Sequence, residues 1–489
     1  MKKDMLWTAL AALILPILAR AIWFYPGMPT RPAIATPEYR SMVIPQPPLK
    51  TPAAEEKIIA RGGIVLVDYV HSNQYQAGEI QSLREAVELR GGRLETLTDS
   101  TLLENKLKYA NAFLVVSPNL AFTQDEIRIV RAFVNRGGRL VVFTDATRGT
   151  LFYDFFTGNP IVSPDVNAVN PLVAPFGISI NNDYLYNLNE NEGNFRNVFF
   201  EDFGKNELTF GLKKVTFYGA HSVKSDSGLV LLRSAESTLS SITDAHSPNE
   251  GGAALNEAEN VVVFGDFTFL APPYNRVADN AALIGNIADF MLGGTRKPSL
   301  ADFPYVFKRP IVYILPTSEV QLTAEIMSAL ASLQAALRVL NVDMQFVTDA
   351  PIEGDLLVLG TFTPSDDLTA FVEPFDLYLD DFNEYVEVPN IGKIARSGNG
   401  ILLFEPGRRG NTLILLADTN YDLSTFITTL SGGSLSGCVL QETIGVCSSG
   451  YGGEYLDEEA AATGEPTSGE STETPAEEPT PTPTPVPPG

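Results

Sequence analysis

Apolar and polar positions along the chain set up a βα rhythm twice, with one long interruption. Gly63 to Val70 is a continuous apolar run around Asp68, the pattern of a strand buried on both faces. Ala77 to Arg90 places Ile80, Leu83 and Val87 at helical spacing and is stopped by Gly91-Gly92. Arg93 to Thr98 and Ala112 to Ser117 read as the next two strands. Thr123-Gln124-Asp125-Glu126 then opens a helix with a hydroxyl N-cap and acids in its first turn. That helix runs to Arg136, Gly137-Gly138 end it, and Arg139 to Thr144 is a fourth strand. Strands alternating with helices predict a parallel sheet covered on both faces.

The rhythm breaks over 146–258, which is rich in Asn, Gly, Phe and Tyr and predicts a β-rich, loop-rich insertion. It resumes with a strand at Val261 to Asp266 and a helix over Asp279 to Leu292, where Asp279-Asn280 reads as the cap. One domain over 58–295 is expected. A second α/β domain is expected over 305–450. It has strands at Arg309 to Leu315, Val342 to Val347 and Asp355 to Gly360, and helices at Thr323 to Leu340, Leu368 to Phe375 and Asp422 to Leu430. Gly400 to Glu405 and Thr412 to Ala417 flank a Pro-Gly turn and predict a β-hairpin.

The two ends differ from this body. After Met1-Lys2-Lys3, only Thr8, Pro16 and Arg20 interrupt the apolar run from Met5 to Tyr25. A helix of that length spans about 31 Å, one hydrocarbon core. Trp7 and Trp23 sit near its two ends, where aromatic rings favour the interfaces. Segment 1–25 is therefore a transmembrane anchor or a signal segment; Ala33-Ile34-Ala35 offers a small-x-small cleavage site for the second reading. Both export the chain, with the basic end cytoplasmic and the bulk extracytoplasmic at the cell membrane. Residues 26–57 follow as a proline-rich, semi-rigid linker. Residues 451–489 are acidic and close in Thr-Pro repeats, a composition that predicts a disordered tail.

Composition narrows the function. Lys+Arg number 34 against Asp+Glu 59, a net charge of −25, which excludes a nucleic-acid partner. Two cysteines and three histidines leave no material for a Cys-rich metal centre, so neither a cofactor nor a metal is expected. Cys438 and Cys447 lie nine apart; outside the cell they predict a disulfide, the alternative being two buried free thiols.

Open parallel sheets bind ligands beyond the carboxyl ends of their strands. The candidate ligand-binding residues there are Asp68 with His71, Ser117 with Asn119, Thr144 with Asp145, and Asp266. The competing reading is that such residues cap helices and fix turns. His221 and His246 stand in the insertion without metal-ligand spacing. The insertion's aromatics, among them Tyr153, Phe156, Tyr184, Tyr186, Phe195, Phe199, Phe200 and Phe203, either face a sugar or partner or form a small core. Phosphate loops, Gly-x-Ser-x-Gly elbows and dinucleotide fingerprints are absent from the sequence.

Four strings occur in order: Phe122-Thr123-Gln124-Asp125-Glu126 running on to Gly137-Gly138-Arg139-Leu140-Val141-Val142-Phe143; Asn206 to Leu212; Val261 to Leu270; and Asp279-Asn280-Ala281-Ala282. Together they resemble the class I glutamine-amidotransferase-like superfamily, in particular its extracytoplasmic branch around the GldG component of gliding-motility ABC transporters. The resemblance covers about 58–295. Catalytic members carry a cysteine nucleophile on a sharp strand-to-helix elbow. The matching strand here ends Val142-Phe143-Thr144-Asp145-Ala146, without cysteine or elbow, so no enzyme activity is expected. Residues 305–450 are faintly similar to the flavodoxin-like domains of BcsB, the periplasmic cellulose synthase subunit, through Asp355 to Gly360 and Thr412 to Asp418. The implied fold class is α/β: two flavodoxin-like parallel-sheet domains, the first with the insertion. The implied role is a non-catalytic, membrane-anchored extracytoplasmic binding or scaffold component of an envelope complex, with ABC transporter subunits as partners. The alternative is a carbohydrate-binding protein acting on envelope glycans. A third reading is a hydrolase using Asp68, His71 and Asp145.

Overall fold

The computed structural model describes residues 2–24, 60–154, 156–380, 382–433 and 435–448. The expectations for the proline-rich linker and the acidic tail lie outside the described residues. Met1–Ile58 forms one unit, and its described part is a single helix, α1 (Lys2–Phe24). α1 buries none of its residues, and its most apolar stretch has a mean hydropathy of 2.0, so it is long and apolar enough to cross a membrane.

The described residues from 60 onward form a second compact unit built on two mixed sheets. In chain order the first contains β1 (Gly63–Asp68), α2 (Gln81–Leu89), β2 (Gly92–Leu97), α3 (Leu103–Leu107), β3 (Ala112–Val116), α4 (Gln124–Asn135) and β4 (Arg139–Phe143). A hairpin of β5 (Gly149–Tyr153) and β6 (Pro160–Pro164) follows. Then come α5 (Val166–Val173), β7 (Ile178–Ile180), β8 (Leu185–Tyr186), β9 (Asn197–Phe200), β10 (Asp202–Phe203), β11 (Val215–Tyr218), β12 (Val223–Ser225), β13 (Leu229–Arg233), β14 (Leu239–Ser240), β15 (Gly251–Leu255), β16 (Val261–Phe264) and α6 (Asn280–Gly293).

Five strands run parallel in the order β2-β1-β3-β4-β16. The period-two alternation of each strand sends its side chains to two faces. Val65, Leu114, Val141 and Val262 meet Leu83 of α2 and Ile287 of α6 on one face. Leu66, Phe113, Leu140 and Val261 meet Phe133 of α4 and Leu172 of α5 on the other. Both faces are covered, which is why these strands read as unbroken apolar runs.

The interrupted segment is only partly a separate body. β15, β13 and β10 extend the sheet antiparallel beyond β16, and β12 and β7 pair on beside β15. β15 is Gly-Gly-Ala-Ala-Leu and fully buried. A Cβ at Gly252 would stand 2.6 Å from Cζ of Phe200, so this strand is small because an aromatic ring lies against its backbone.

The second sheet contains β17 (Ile311–Pro316), α7 (Ala324–Val339), β18 (Asp343–Phe346), β19 (Asp355–Thr361), α8 (Asp366–Val372), β20 (Tyr385–Val388), β21 (Gly392–Ala395), β22 (Asn399–Glu405), β23 (Thr412–Ala417), α9 (Asn420–Ser431), β24 (Cys438–Leu440) and β25 (Ile444–Ser448). β18, β17, β19 and β23 are parallel; β22, β25 and β24 continue the sheet antiparallel, with β22 and β23 forming the expected hairpin. α7 and α9 cover one face, and α8 with the β20–β21 ribbon packs on the other. Cys438 and Cys447 face each other across β24 and β25 and are joined by a disulfide.

The segment between the sheets is held by charge. Asp302, 1% exposed, accepts from Arg136 Nη1 at 2.7 Å and lies 3.6 Å from Arg296 Nη2. Lys108 Nζ donates to the Phe303 carbonyl at 3.2 Å, and the Tyr109 and Tyr305 rings are 4.7 Å apart.

Candidate functional site

The carboxyl ends of β1, β3, β4 and β16 lie side by side, so the strand-end residues do converge. What they meet is the chain's own loops. Asp68, Ser117, Thr144, Asp145 and Asp266 are all 0% exposed.

Asp68 closes β1. Its carboxylate accepts from the Val70 N–H at 3.2 Å and Asn73 Nδ2 at 2.6 Å, and faces His71 Nδ1 at 3.0 and 3.1 Å. The other ring nitrogen of His71 faces Glu126 Oε2 at 3.5 Å, and the ring stacks on Phe122 at 3.6 Å. Burial works to lower the pKa of His71, but the hydrogen bond and charge of Asp68, joined by Glu126, raise it above the ordinary value. The two carboxylates on either side of the ring favour its imidazolium form, which presents an N–H to each. Glu126 also makes a capping box with Thr123 at the start of α4. Asn119 contributes only its backbone: its N–H donates to the His71 carbonyl at 2.9 Å.

Ser117 sits one residue past β3 with φ +43°. Its hydroxyl donates to Asp165 Oδ2 at 2.7 Å, and the same oxygen accepts the Asp145 N–H at 2.9 Å. Asp165 Oδ1 faces His221 Nε2 at 3.3 Å, and His221 Nδ1 donates to the Asp183 carbonyl at 2.6 Å. The Asp183 carboxylate accepts from the Ser222 N–H and hydroxyl and from the Ser240 hydroxyl. The chain Ser117–Asp165–His221–Asp183 is buried at every member. The Ser117 hydroxyl donates to the Asp165 carboxylate at a position closed to solvent. Gly265 packs here so closely that a Cβ would stand 2.0 Å from the His221 carbonyl oxygen, so only glycine fits.

Thr144 donates to the Phe264 carbonyl through both its N–H and its hydroxyl, at 2.9 and 3.1 Å. Asp145 accepts the Thr147 N–H and hydroxyl on one oxygen and the Thr268 hydroxyl, at 2.7 Å, on the other. Asp266 accepts the Tyr218 N–H at 2.9 Å and the Thr268 N–H at 2.8 Å. Burial pushes both carboxyls above the ordinary carboxylate range, Asp266 furthest, and the charge of Asp145 beside Asp266 adds to it.

Sequence reasoning named Asp68 with His71, and Asp145 and Asp266, set His221 aside for want of metal-ligand spacing, and missed Asp165 and Asp183 in the insertion, since no local spacing ties them to the strand ends. Asp279 stands at the N-cap position of α6, as expected, but its side chain is used elsewhere. Asp279 makes no side-chain cap on α6; it accepts the N–H groups of Lys213 and Lys214 at 2.9 and 3.0 Å. Asn280 bonds both the N–H and the carbonyl of Thr216 at 3.0 Å. The pair ties β11 to α6. Of the insertion's aromatics, Phe200 is fully buried against Phe217, whereas Tyr153, Phe156 and Phe195 are exposed. Among the described residues no group of three His, Cys, Asp or Glu side chains is placed to hold a metal ion.

No protein-family model matches the chain, and no curated protein matches it. Solved structures with some likeness include the mmIFT52 N-terminal domain, at 15% identity and a TM-score of 0.37 over 47% of this chain and 97% of that one. A ThuA-like protein from Bacteroides uniformis gives 15% identity and a TM-score of 0.29, covering 49% and 94% of the two chains. A ThuA-like protein from Parabacteroides merdae gives 11% and 0.26, covering 48% and 92%.

Proposed function

We propose that the chain is a non-catalytic, membrane-anchored extracytoplasmic component of an envelope complex, a binding or scaffold protein built on two flavodoxin-like domains, with subunits of an ABC-type transport system as partners. The observation that carries this reading is the closure of the strand ends. Where an open α/β sheet receives its ligand, the strand-end acids of the first sheet, Asp68, Asp145 and Asp266, are spent on the chain's own N–H, hydroxyl, amide and imidazole groups. With those strand ends closed, the first sheet acts through other surfaces. The apolar α1 supports the anchor, and a Cys438–Cys447 disulfide suits an oxidising compartment outside the cytoplasm. The test is crosslinking in intact cells of the tagged full-length protein, followed by mass spectrometry of what co-purifies from the membrane. Recovery of transporter permease or ATPase subunits is expected; recovery of glycan fragments with no protein partner would overturn this reading.

The second reading, a carbohydrate-binding protein, rests on one groove of about 470 Å³ in the insertion. Asn189, Asn191, Glu190 and Arg233 line it, and Lys214 Nζ lies 3.8 Å from the centre of the Phe199 ring. Amides, acids and an aromatic edge suit vicinal hydroxyls. Saturable binding on a glycan array, lost on Asn191→Ala, would favour it over the scaffold.

A further inference from the structure

The two sheets end differently. In the first, the strand-end acids Asp68, Asp145 and Asp266 are closed from solvent. In the second, β19 and β23 are parallel neighbours, and Asp418, the residue after β23, keeps 26% of its side chain exposed. It lines a depression of about 480 Å³. The β20–β21 ribbon completes the walls, with Phe382, Glu384 and Tyr385 on the way into it and Arg396 on the way out. Phe382 also lines an adjoining depression of about 320 Å³, together with Tyr378 and Asp380. Ligands of open α/β sheets bind at this end of the strands.

Two kinds of group meet there. The first is aromatic. Phe382 is 95% exposed, Tyr378 80% and Tyr385 56%, three bare rings on one short stretch of chain. The second is polar, with hydrogen-bonding capacity to spare. The Arg396 side chain is 12% exposed. Its Nε donates to Asp418 Oδ1 at 2.9 Å, and its Nη1 donates to the carbonyls of Asp380 and Asn383 at 3.0 and 3.4 Å. Nη2 bonds to none of the described residues, and neither do the second oxygen of Asp418 and the Glu384 carboxylate. Asp380 is already spent: its carboxylate accepts the Phe382 N–H at 2.9 Å and Asn383 Nδ2 at 2.8 Å.

We propose that this edge of the second sheet is a binding site for a neutral oligosaccharide. The groups that remain free select that class. An anion would meet Glu384, Asp418 and Asp380 against the single guanidinium of Arg396, on a chain of net charge −25. A cation would face Arg396, which already neutralises Asp418. A purely apolar partner would bury Glu384 and the free Asp418 oxygen with nothing to bond. A sugar hydroxyl both donates and accepts, so neighbouring hydroxyls can take Arg396 Nη2 on one side and a carboxylate oxygen on the other. The apolar face of the sugar ring then lies on Phe382. The two depressions share that ring, so the site takes more than one sugar unit. It is separate from the groove in the insertion, and the scaffold role does not depend on it.

The experiment is calorimetric titration of the full-length chain, in a detergent without a sugar headgroup, with cellohexaose, chitohexaose and mannohexaose. Phe382→Ala and Glu384→Ala are compared with the parent; both side chains are on the surface, so the fold is retained. Saturable binding of at least one hexasaccharide is expected, with a Kd of about 1 mM or tighter. Each substitution is expected to weaken it on the order of 10-fold, and Asn191→Ala in the insertion groove should leave it unchanged. Failure of all three sugars to bind would overturn the proposal. So would binding indifferent to both substitutions, or lost on Asn191→Ala, which would place the sugar elsewhere. Binding of spermidine or inorganic phosphate that Phe382→Ala abolishes, with the sugars inert, would overturn it in favour of an ionic ligand.

Discussion

Asp145 and Asp266 stand at matching positions on neighbouring parallel strands and are clamped by the same residue, Thr268, whose hydroxyl donates to Asp145 at 2.7 Å and whose N–H donates to Asp266 at 2.8 Å. Phe143 of β4 and Phe264 of β16 are register partners, and each acid lies two residues beyond its phenylalanine. Both carboxyls are fully buried, and burial raises the pKa of each, with the charge of Asp145 adding to the rise at Asp266.

These raised pKa values make stability depend on pH. In the unfolded chain both acids titrate near the ordinary value of about 3.9. In the folded chain their pKa values are raised, so the folded state holds a proton that the unfolded state has released. The contribution is fully present below the ordinary value and is lost as pH rises through the raised one. Asp145→Asn removes one of the two titrating carboxyls and its charge beside Asp266, and can still accept from Thr147. The variant is expected to lose less thermal stability than the parent between acidic and mildly alkaline pH, as followed by melting temperature. Parallel curves for the two would contradict a raised pKa at Asp145.

His71 carries a second pH effect of the same sign. Its raised pKa means that its stabilisation is complete below about 6.5 and fades as pH rises through the folded value. Removing the imidazolium leaves Asp68 and Glu126 facing an empty, nearly dry site. His71→Ala is expected to cost about 3 kcal/mol at neutral pH, measured by denaturant unfolding. A loss within about 0.5 kcal/mol would mean that the ring is ordinary packing.

The disulfide closes a short loop. Joining residues nine apart restricts the unfolded chain by about 2–3 kcal/mol. Cys438→Ser with Cys447→Ser, or a reductant, is expected to lower the melting temperature by that equivalent, with β24 and β25 the first elements to gain hydrogen exchange. An unchanged melting temperature under reduction would contradict it.

Asp302 anchors the connection between the sheets through Arg136 and Arg296. Asp302→Ala leaves two partly buried guanidinium groups without their carboxylate. It is expected to cost about 2–3 kcal/mol and to open the 294–303 segment to limited proteolysis. Protease resistance equal to the parent's would show that the apolar contacts hold the segment alone.

Much of this was legible in the residues. β1, β3, β4 and β16 announce themselves as continuous Val, Leu, Ile and Phe runs because both sheet faces are covered. The Thr123–Glu126 capping box and the β22–β23 hairpin follow from local chemistry, which sequence carries well. β15 was invisible: Gly251-Gly252-Ala253-Ala254 has neither period nor β-propensity, and it is a strand because Phe200 and its neighbouring strands require a thin backbone there. The strand-end acids were recognisable as a group, but their state was not. Whether such an acid faces a ligand or a loop depends on Asp165 and His221, 20 and 76 residues beyond Asp145, and on tertiary contacts that no spacing records.

The central claim, an anchored extracytoplasmic protein acting without catalysis, is tested most directly by fractionation of cells carrying the tagged full-length chain, with protease added from outside. The protein is expected in the membrane fraction, resistant to alkaline carbonate extraction, with 60–448 digested only when the protease reaches the outer side. Recovery of the intact chain as a soluble cytoplasmic protein, shielded from that protease, would contradict the account.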